Sequence, residues 1–299
     1  MSAPNPNRHY ELCTTVTPDQ VKLHGMYQQA TMPPQSGLDA AVLLHGLGGN
    51  FYSSTLNLRL ADALVELGIS VVLSNSRGHD GISMNPVGGR AQSIGAAFEI
   101  VDDCRHDVAG WVDWLVARKG HTQVALVGHS LGAIKSLYAQ AHEQLEPVSA
   151  LVGLSATRLC HDKFLRSERA DDFRKWYSLA GEMVEQGRGH ELLHVDFPFP
   201  VHISAQAYFD KYGPQDRYDW LPQAGRIRVP VLLMFGEREL SDNAAFHGLL
   251  EQATEVVQKL PQYALHVIPS ANHFYAGVHH RATEAMQQWI LETVRKNPT

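Results

Sequence analysis

The sequence predicts an α/β protein: a mostly parallel sheet flanked by helices, with a helical cap inserted into it. Two patterns carry this reading. Short aliphatic or β-branched runs bounded by Gly, Asn or Ser recur at residues 41–44, 71–74, 124–127, 148–154, 229–235 and 264–268. Each is short and apolar enough for a strand buried on both faces. Between them stand helical periodicities over residues 56–67, 101–118, 131–143, 244–259 and 283–296, the first stopped by Gly68 and the second by Gly120. Strand and helix in alternation imply parallel neighbours joined by right-handed crossovers.

The remaining segments follow from where this rhythm is missing. Residues 10–29 carry no long helical pattern and read as two strands, a hairpin at the sheet edge. Between residues 155 and 225 no core-strand run occurs, and mixed charge alternates with aromatics such as Phe164, Phe173, Trp176, Phe197, Tyr208 and Trp220. The expected division is therefore a core of residues 1–154 and 226–299 with a cap of residues 155–225. The aromatics pack the cap against the core, because a small subdomain needs the area they bury. A sharper reading has some of them line an apolar pocket.

Composition narrows the function. With 44% hydrophobic and 19% charged residues the chain reads as a folded, soluble protein. Its formal charge of −6, from 25 Lys and Arg against 31 Asp and Glu, argues against nucleic acid as the partner. No apolar run approaches the ~20 residues that span a bilayer, and the first residues lack the apolar core of a signal peptide, so a cytoplasmic location is expected. Cys13, Cys104 and Cys160 are odd in number without metal-type spacing, and read as buried thiols. The 17 histidines form no metal-ligand motif. Neither a metal nor a cofactor is expected.

The chemistry concentrates after the run 124–127, which leads into Gly128-His129-Ser130-Leu131-Gly132 and then a helical stretch. This is G-x-S-x-G between a strand and a helix. A sharp turn would hold Ser130 in a strained conformation at the carboxyl edge of the sheet, and small residues at 128 and 132 avoid collision with the adjoining elements. A serine hydroxyl is a weak nucleophile at neutral pH and requires a base, itself oriented by a third group. His273 follows the last strand, on the same rim, where the base must stand. For the acid, Glu237, Glu239 and Asp242 compete; Glu239, three residues past Gly236, occupies the usual place. The developing oxyanion needs free donors, and the loop His45-Gly46-Leu47-Gly48-Gly49-Asn50 after the first parallel strand offers them. The backbone N–H groups of Leu47 and Leu131 are the candidate oxyanion hole.

With Ser130, a late acid, His273 and the HGLGG loop in place, the chain resembles the α/β-hydrolase superfamily over roughly residues 10–296, in particular its serine-nucleophile, esterase- or lipase-like branch with a helical cap. The resemblance implies an eight-stranded, mostly parallel sheet, a cap between the sixth and seventh strands, and a cofactor-free acyl-enzyme mechanism. Ser130 in the elbow disfavours the dehalogenase and epoxide hydrolase branches, whose nucleophile is aspartate. The segment Asn75-Ser76-Arg77-Gly78-His79-Asp80 resembles the R-G-H-G turn of the family with Asp80 in place of the last glycine, and Arg77 is expected to tie loops together. The connection 81–97, containing Gly88, Gly89 and Gly95, is expected near the substrate mouth, where it would contribute to the acyl or alcohol pocket. Glu99 reads as a solvated acid at a helix N-terminus.

The expected function is a serine hydrolase cleaving a carboxylic ester of a medium-sized, partly apolar small molecule, with amides and thioesters ranked behind esters. Two rivals stand beside it: a small-molecule binding or receptor protein with weak or lost catalysis, and an acyltransferase.

Overall fold

The first two strands, β1 (Glu11–Val16) and β2 (Lys22–Gln28), pair antiparallel as the expected edge hairpin. This is seen in a computed structural model that describes residues 9–241 and 245–294. Onward along the chain come β3 (Ala40–Leu44), α1 (Thr55–Glu66) and β4 (Ser70–Ser74). A small hairpin of β5 (Ser83–Val87) and β6 (Arg90–Ile94) follows. Then α2 (Cys104–Lys119), β7 (Val124–His129), α3 (Leu131–Glu143) and β8 (Val148–Leu154) complete the first part of the core.

An excursion of α4 (His161–Leu165), α5 (Ala170–Glu185), β9 (Leu192–Val195), β10 (Val201–Ser204) and α6 (Ala205–Lys211) separates β8 from β11 (Val231–Gly236). The chain closes with α7 (Leu249–Lys259), β12 (Tyr263–Ile268) and α8 (His279–Thr293).

The main sheet has eight strands in the order β1-β2-β4-β3-β7-β8-β11-β12. β2 runs antiparallel to β4 and every later pairing is parallel, with Leu44 opposite Gly128 and Met234 opposite Leu154. β3 and β4 are buried along their whole length, as continuous aliphatic runs with helices on both faces must be. Each fully buried Val or Leu there contributes roughly 1.5–3 kcal/mol of transfer free energy. One apolar layer joins α2, α3 and the excursion after β8 to the sheet around Trp111, Leu126 and Leu151; the other lies under α1 and α8 around Leu43, Val127 and Trp289. Among the described residues no helix is long and apolar enough to cross a membrane.

Several boundaries differ from expectation for local reasons. Residues 101–118 open with a 3-10 turn, Val101–Asp103, before α2 begins. The helix expected from residue 244 starts at Leu249, since Gly248 holds a left-handed conformation (φ 66°); Ala244 lies outside the described residues. α8 begins earlier than residue 283, because its first turn, His279-His280-Arg281, has no apolar periodicity to announce it. The excursion is mixed, not purely helical, since β9 and β10 form an antiparallel pair. Connection 81–97 holds the β5–β6 hairpin, whose mainly exposed side chains leave no alternating signal. That hairpin leans on the N-terminal one through a Val21–Val87 bridge and an Asn85 Nδ2 bond to the Lys22 carbonyl at 2.9 Å. The residues just past its base approach the loop after β3, where a Cβ on Gly48 would lie 3.7 Å from Ala96 Cβ.

The aromatics of this excursion mostly pack on one another. Phe164, Phe173 and Phe197 form a triangle with ring centroids 5.3–5.5 Å apart, all fully buried. Trp220 reaches back to the start of the excursion, where its Nε1 donates to the Ala156 carbonyl at 3.2 Å.

Candidate active site

At the carboxyl end of β7 the chain reverses into α3 within one residue. Ser130 takes φ 57° and ψ −122°, a backbone conformation that costs a non-glycine residue free energy. The crowding around it explains the glycines. A Cβ on Gly128 would lie 2.3 Å from the Gly132 carbonyl oxygen, and one on Gly132 would lie 2.5 Å from the carbonyl oxygens of Leu44 and His45. The start of α3 is thus pressed against the end of β3, and the loop His45–Gly49 stands beside Ser130. Among the described residues neither the Leu47 nor the Leu131 N–H has a hydrogen-bond acceptor. The latter is one of the orphan donors of a helix N-terminus.

The late acid and the histidine meet. His273 Nδ1–H donates to Glu239 Oε2 at 2.8 Å, and Glu239 is fully buried. The other carboxylate oxygen accepts from the Gly236 N–H and from Ser155 Oγ, both at 2.7 Å. Of the other acids weighed for this place, Glu237 is occupied by the Ser270 N–H at 2.8 Å; Asp242 lies outside the described residues. The residue before Ser130 ties the elbow to His273: His129 Nε2–H donates to the His273 carbonyl at 2.7 Å, and the two rings lie 4.8 Å apart. No hydrogen bond joins Ser130 Oγ to His273 among the described residues. Catalytic hydrogen bonds of this kind often tighten only when substrate is bound.

Three residues here were not singled out by sequence reasoning. His129 fills the unspecified second position of the elbow, and burial, with His273 beside it, pulls its ring down to about 3, so it stays a neutral Nε2–H donor. Ser155, directly after β8, has φ 53° and supplies a hydroxyl to the acid. Tyr275 lies 3.2 Å from Ser155 Oγ and gives its own hydrogen to the Met234 carbonyl at 3.1 Å. Only the motif position of His129 could have signalled a role; Ser155 and Tyr275 depend on contacts remote in sequence.

Glu99 requires a correction. It is buried, not solvated, and forms an ion pair with the fully buried Lys135 of α3. The acid precedes a short helical turn, which looks like a surface cap, but its partner lies 36 residues away and draws it inside. Arg77 ties loops as expected: its guanidinium binds Asp19 at 2.7 Å, Asp107 at 2.9 Å and Asp103 at 3.2 Å, joining the β1–β2 turn, the loop after β4 and α2. Among the described residues no group of three or more His, Cys, Asp or Glu side chains could hold a metal ion.

With the fold and this constellation described, comparison places the chain. The family model for the alpha/beta hydrolase fold matches residues 40–184, which include the loop after β3 and the Ser130 elbow. Among solved structures it is similar to Est1E of Butyrivibrio proteoclasticus with ferulic acid bound, at 17% identity over 94% of this chain and 99% of that one, TM-score 0.66. It is also similar to the esterase Pf2001 of Pyrococcus furiosus, at 15% identity over 98% and 96%, TM-score 0.65. The α/β hydrolase GrgF of a Penicillium species matches at 14% identity over 96% and 99%, TM-score 0.67. No curated protein matches by sequence. The chain has the α/β-hydrolase fold.

Proposed function

We propose that this protein is a serine hydrolase cleaving a carboxylic ester of a medium-sized, partly apolar small molecule through an acyl-enzyme. The observation that carries the proposal is the Glu239–His273 bond at 2.8 Å over the strained elbow. An ionised acid on Nδ1–H leaves Nε2 bare, the tautomer a general base requires. In this reading Ser130 Oγ gives its proton to His273 Nε2 and attacks the ester carbonyl carbon. The tetrahedral oxyanion is received by the Leu47 and Leu131 N–H groups, and His273 returns the proton to the leaving alcohol. Water, activated by the same histidine, then attacks the acyl-enzyme and releases the acid and Ser130. The two unpaired amides support this assignment, since donors aimed at the oxyanion must be free in the resting enzyme. Esters are favoured over amides and thioesters because Pf2001, similar along nearly its whole length, is an esterase. The cap of residues 155–225 would cover the site and set substrate size, and the reaction would require no cofactor.

The test is fluorophosphonate labelling with intact-mass detection of the wild type and Ser130→Ala, beside turnover of p-nitrophenyl esters of increasing chain length. Labelling and turnover that both vanish in the variant are expected, and the chain-length profile sizes the acyl pocket. A folded wild type that resists labelling but binds the esters would replace the hydrolase reading with a binding protein. Turnover that appears only with an added alcohol or amine acceptor would make it an acyltransferase.

A further inference from the structure

Behind the loop that carries Leu47, buried polar side chains are joined end to end. The Gly46 carbonyl accepts from the Gly49 N–H at 3.1 Å and from His45 Nδ1–H at 2.7 Å. A planar trans peptide sends its C=O and N–H in opposite directions, so a Gly46 carbonyl held on one side fixes the Leu47 N–H on the other. His45 donates from Nδ1 only in the tautomer whose Nε2 is bare. That nitrogen is met by the Ser76 N–H at 3.1 Å and by Ser76 Oγ at 3.3 Å. Lys135 Nζ donates to Ser76 Oγ at 2.9 Å, which leaves the serine hydrogen to point at the imidazole. Glu99 Oε1 holds the ammonium in place. Burial first, and then the charge of Lys135, pulls His45 down to about 4, so the ring stays neutral.

Stability does not account for this arrangement. A buried Lys–Glu pair is commonly no better for stability than well-packed apolar residues of the same volume, and Lys135 lies on α3 among Ile134, Leu137 and Tyr138, where apolar side chains are the rule.

We propose that Lys135, seated on Glu99 and acting through Ser76, is a positioning residue: it holds His45 in its Nδ1–H tautomer and so aims the Leu47 amide at the substrate oxyanion. This rests on the ester-hydrolase reading of the site. Lys135 touches no reacting atom, so its loss should leave substrate binding intact and weaken only the stabilisation that arises in the transition state.

The experiment compares wild type with the double variant Lys135→Met/Glu99→Gln, which removes both charges of the ion pair and keeps an amide oxygen at position 99 for the buried Lys211 nearby. Ser76→Ala, which keeps the ion pair and deletes only the relay hydroxyl, is measured alongside. Each is followed by p-nitrophenyl ester kinetics and by 15N imidazole shifts of His45. The expected result is a kcat lower by roughly 10–100-fold in the double variant, below the full loss of an oxyanion donor, with KM within about twofold of wild type. His45 should move from a single Nδ1–H tautomer toward a mixture, and Ser76→Ala should shift both readouts the same way by less. A His45 tautomer unchanged in Ser76→Ala and in the folded double variant overturns the proposal, as does an unchanged kcat with an altered tautomer. If wild-type Ser130 resists fluorophosphonate, the hydrolase reading fails instead. The tautomer measurement then still decides whether Lys135 sets His45.

Discussion

His273 Nδ1 and Glu239 Oε2 stand 2.8 Å apart, and the carboxylate that makes this contact is sealed from solvent with its other oxygen already bound by Gly236 and Ser155. An acid committed on every side cannot turn away from its histidine. Replacing it by an isosteric amide is therefore a test of tautomer, not of fold. Glu239→Gln is expected to leave the thermal midpoint close to wild type while kcat for a p-nitrophenyl ester falls about 10²–10⁴-fold. A loss under tenfold would mean that His273 is oriented by something else.

The elbow glycines admit a direct steric test. Gly132→Ala places a methyl 2.5 Å from the Leu44 and His45 carbonyl oxygens, at and just past the buried end of β3, where Leu44 cannot retreat without disturbing its pairing with Gly128. Overpacking of this kind costs about 1–3 kcal/mol, and it would part the Leu47 and Leu131 amides. Urea denaturation should show the lower stability. Ester turnover should fall further than stability alone explains, since the protein remains folded under assay conditions.

Acid sensitivity follows from two buried rings. Burial and the Lys135 charge hold His45 to about 4, and burial beside His273 holds His129 to about 3, both below the ordinary 6.5. Unfolded, each ring takes up its proton as the pH drops past 6.5; folded, it does not until about 4 or 3. Their contribution is thus complete above pH 6.5 and lost on acidification toward 4, by up to about 1.4 kcal/mol per pH unit for each ring. Asp39 also titrates below its ordinary 3.8, where the neighbouring His121 and hydrogen bonds from Thr122 and Gln123 outweigh its burial. Its share is lost only at lower pH. Urea midpoints between pH 7 and 4.5 should fall steadily in wild type and less steeply in His129→Gln, which keeps a donor for the His273 carbonyl but has no proton to gain.

Arg77 joins three segments with one guanidinium, and among its partners Asp107 is fully buried. Arg77→Met would leave that carboxylate without its cation. Removing one partner of a buried pair costs about 3–5 kcal/mol, and chemical denaturation should show a loss of that size, with the β1–β2 hairpin gaining amide exchange first. A loss below 1 kcal/mol would mean Asp107 had found another donor or a proton.

How much of this was legible in the sequence depended on how local the cause was. The elbow could be read because the clashes that demand Gly128 and Gly132 arise within the motif and at the strand beside it. Glu239 could be read from its spacing after Gly236, because its first hydrogen bond returns to that very amide. Strands β3, β4 and β8 announced themselves by burial on both faces, and α3 matched its expected span of residues 131–143. What stayed hidden was set by distant partners. Glu99 looked like a surface acid until Lys135 came to it, and Ser155 gained meaning only beside Glu239, 84 residues on. The β5–β6 hairpin was missed because its side chains are largely exposed, leaving nothing to alternate.

Ser155 is also the first residue after β8, where the excursion toward β11 begins. A recombination junction drawn at the end of that strand, between 154 and 155, would import a foreign residue into the hydrogen-bond shell of Glu239. Chimeras that exchange caps among relatives should therefore inherit residue 155 with the sheet. The exchangeable segment thus begins one residue later than the secondary structure suggests.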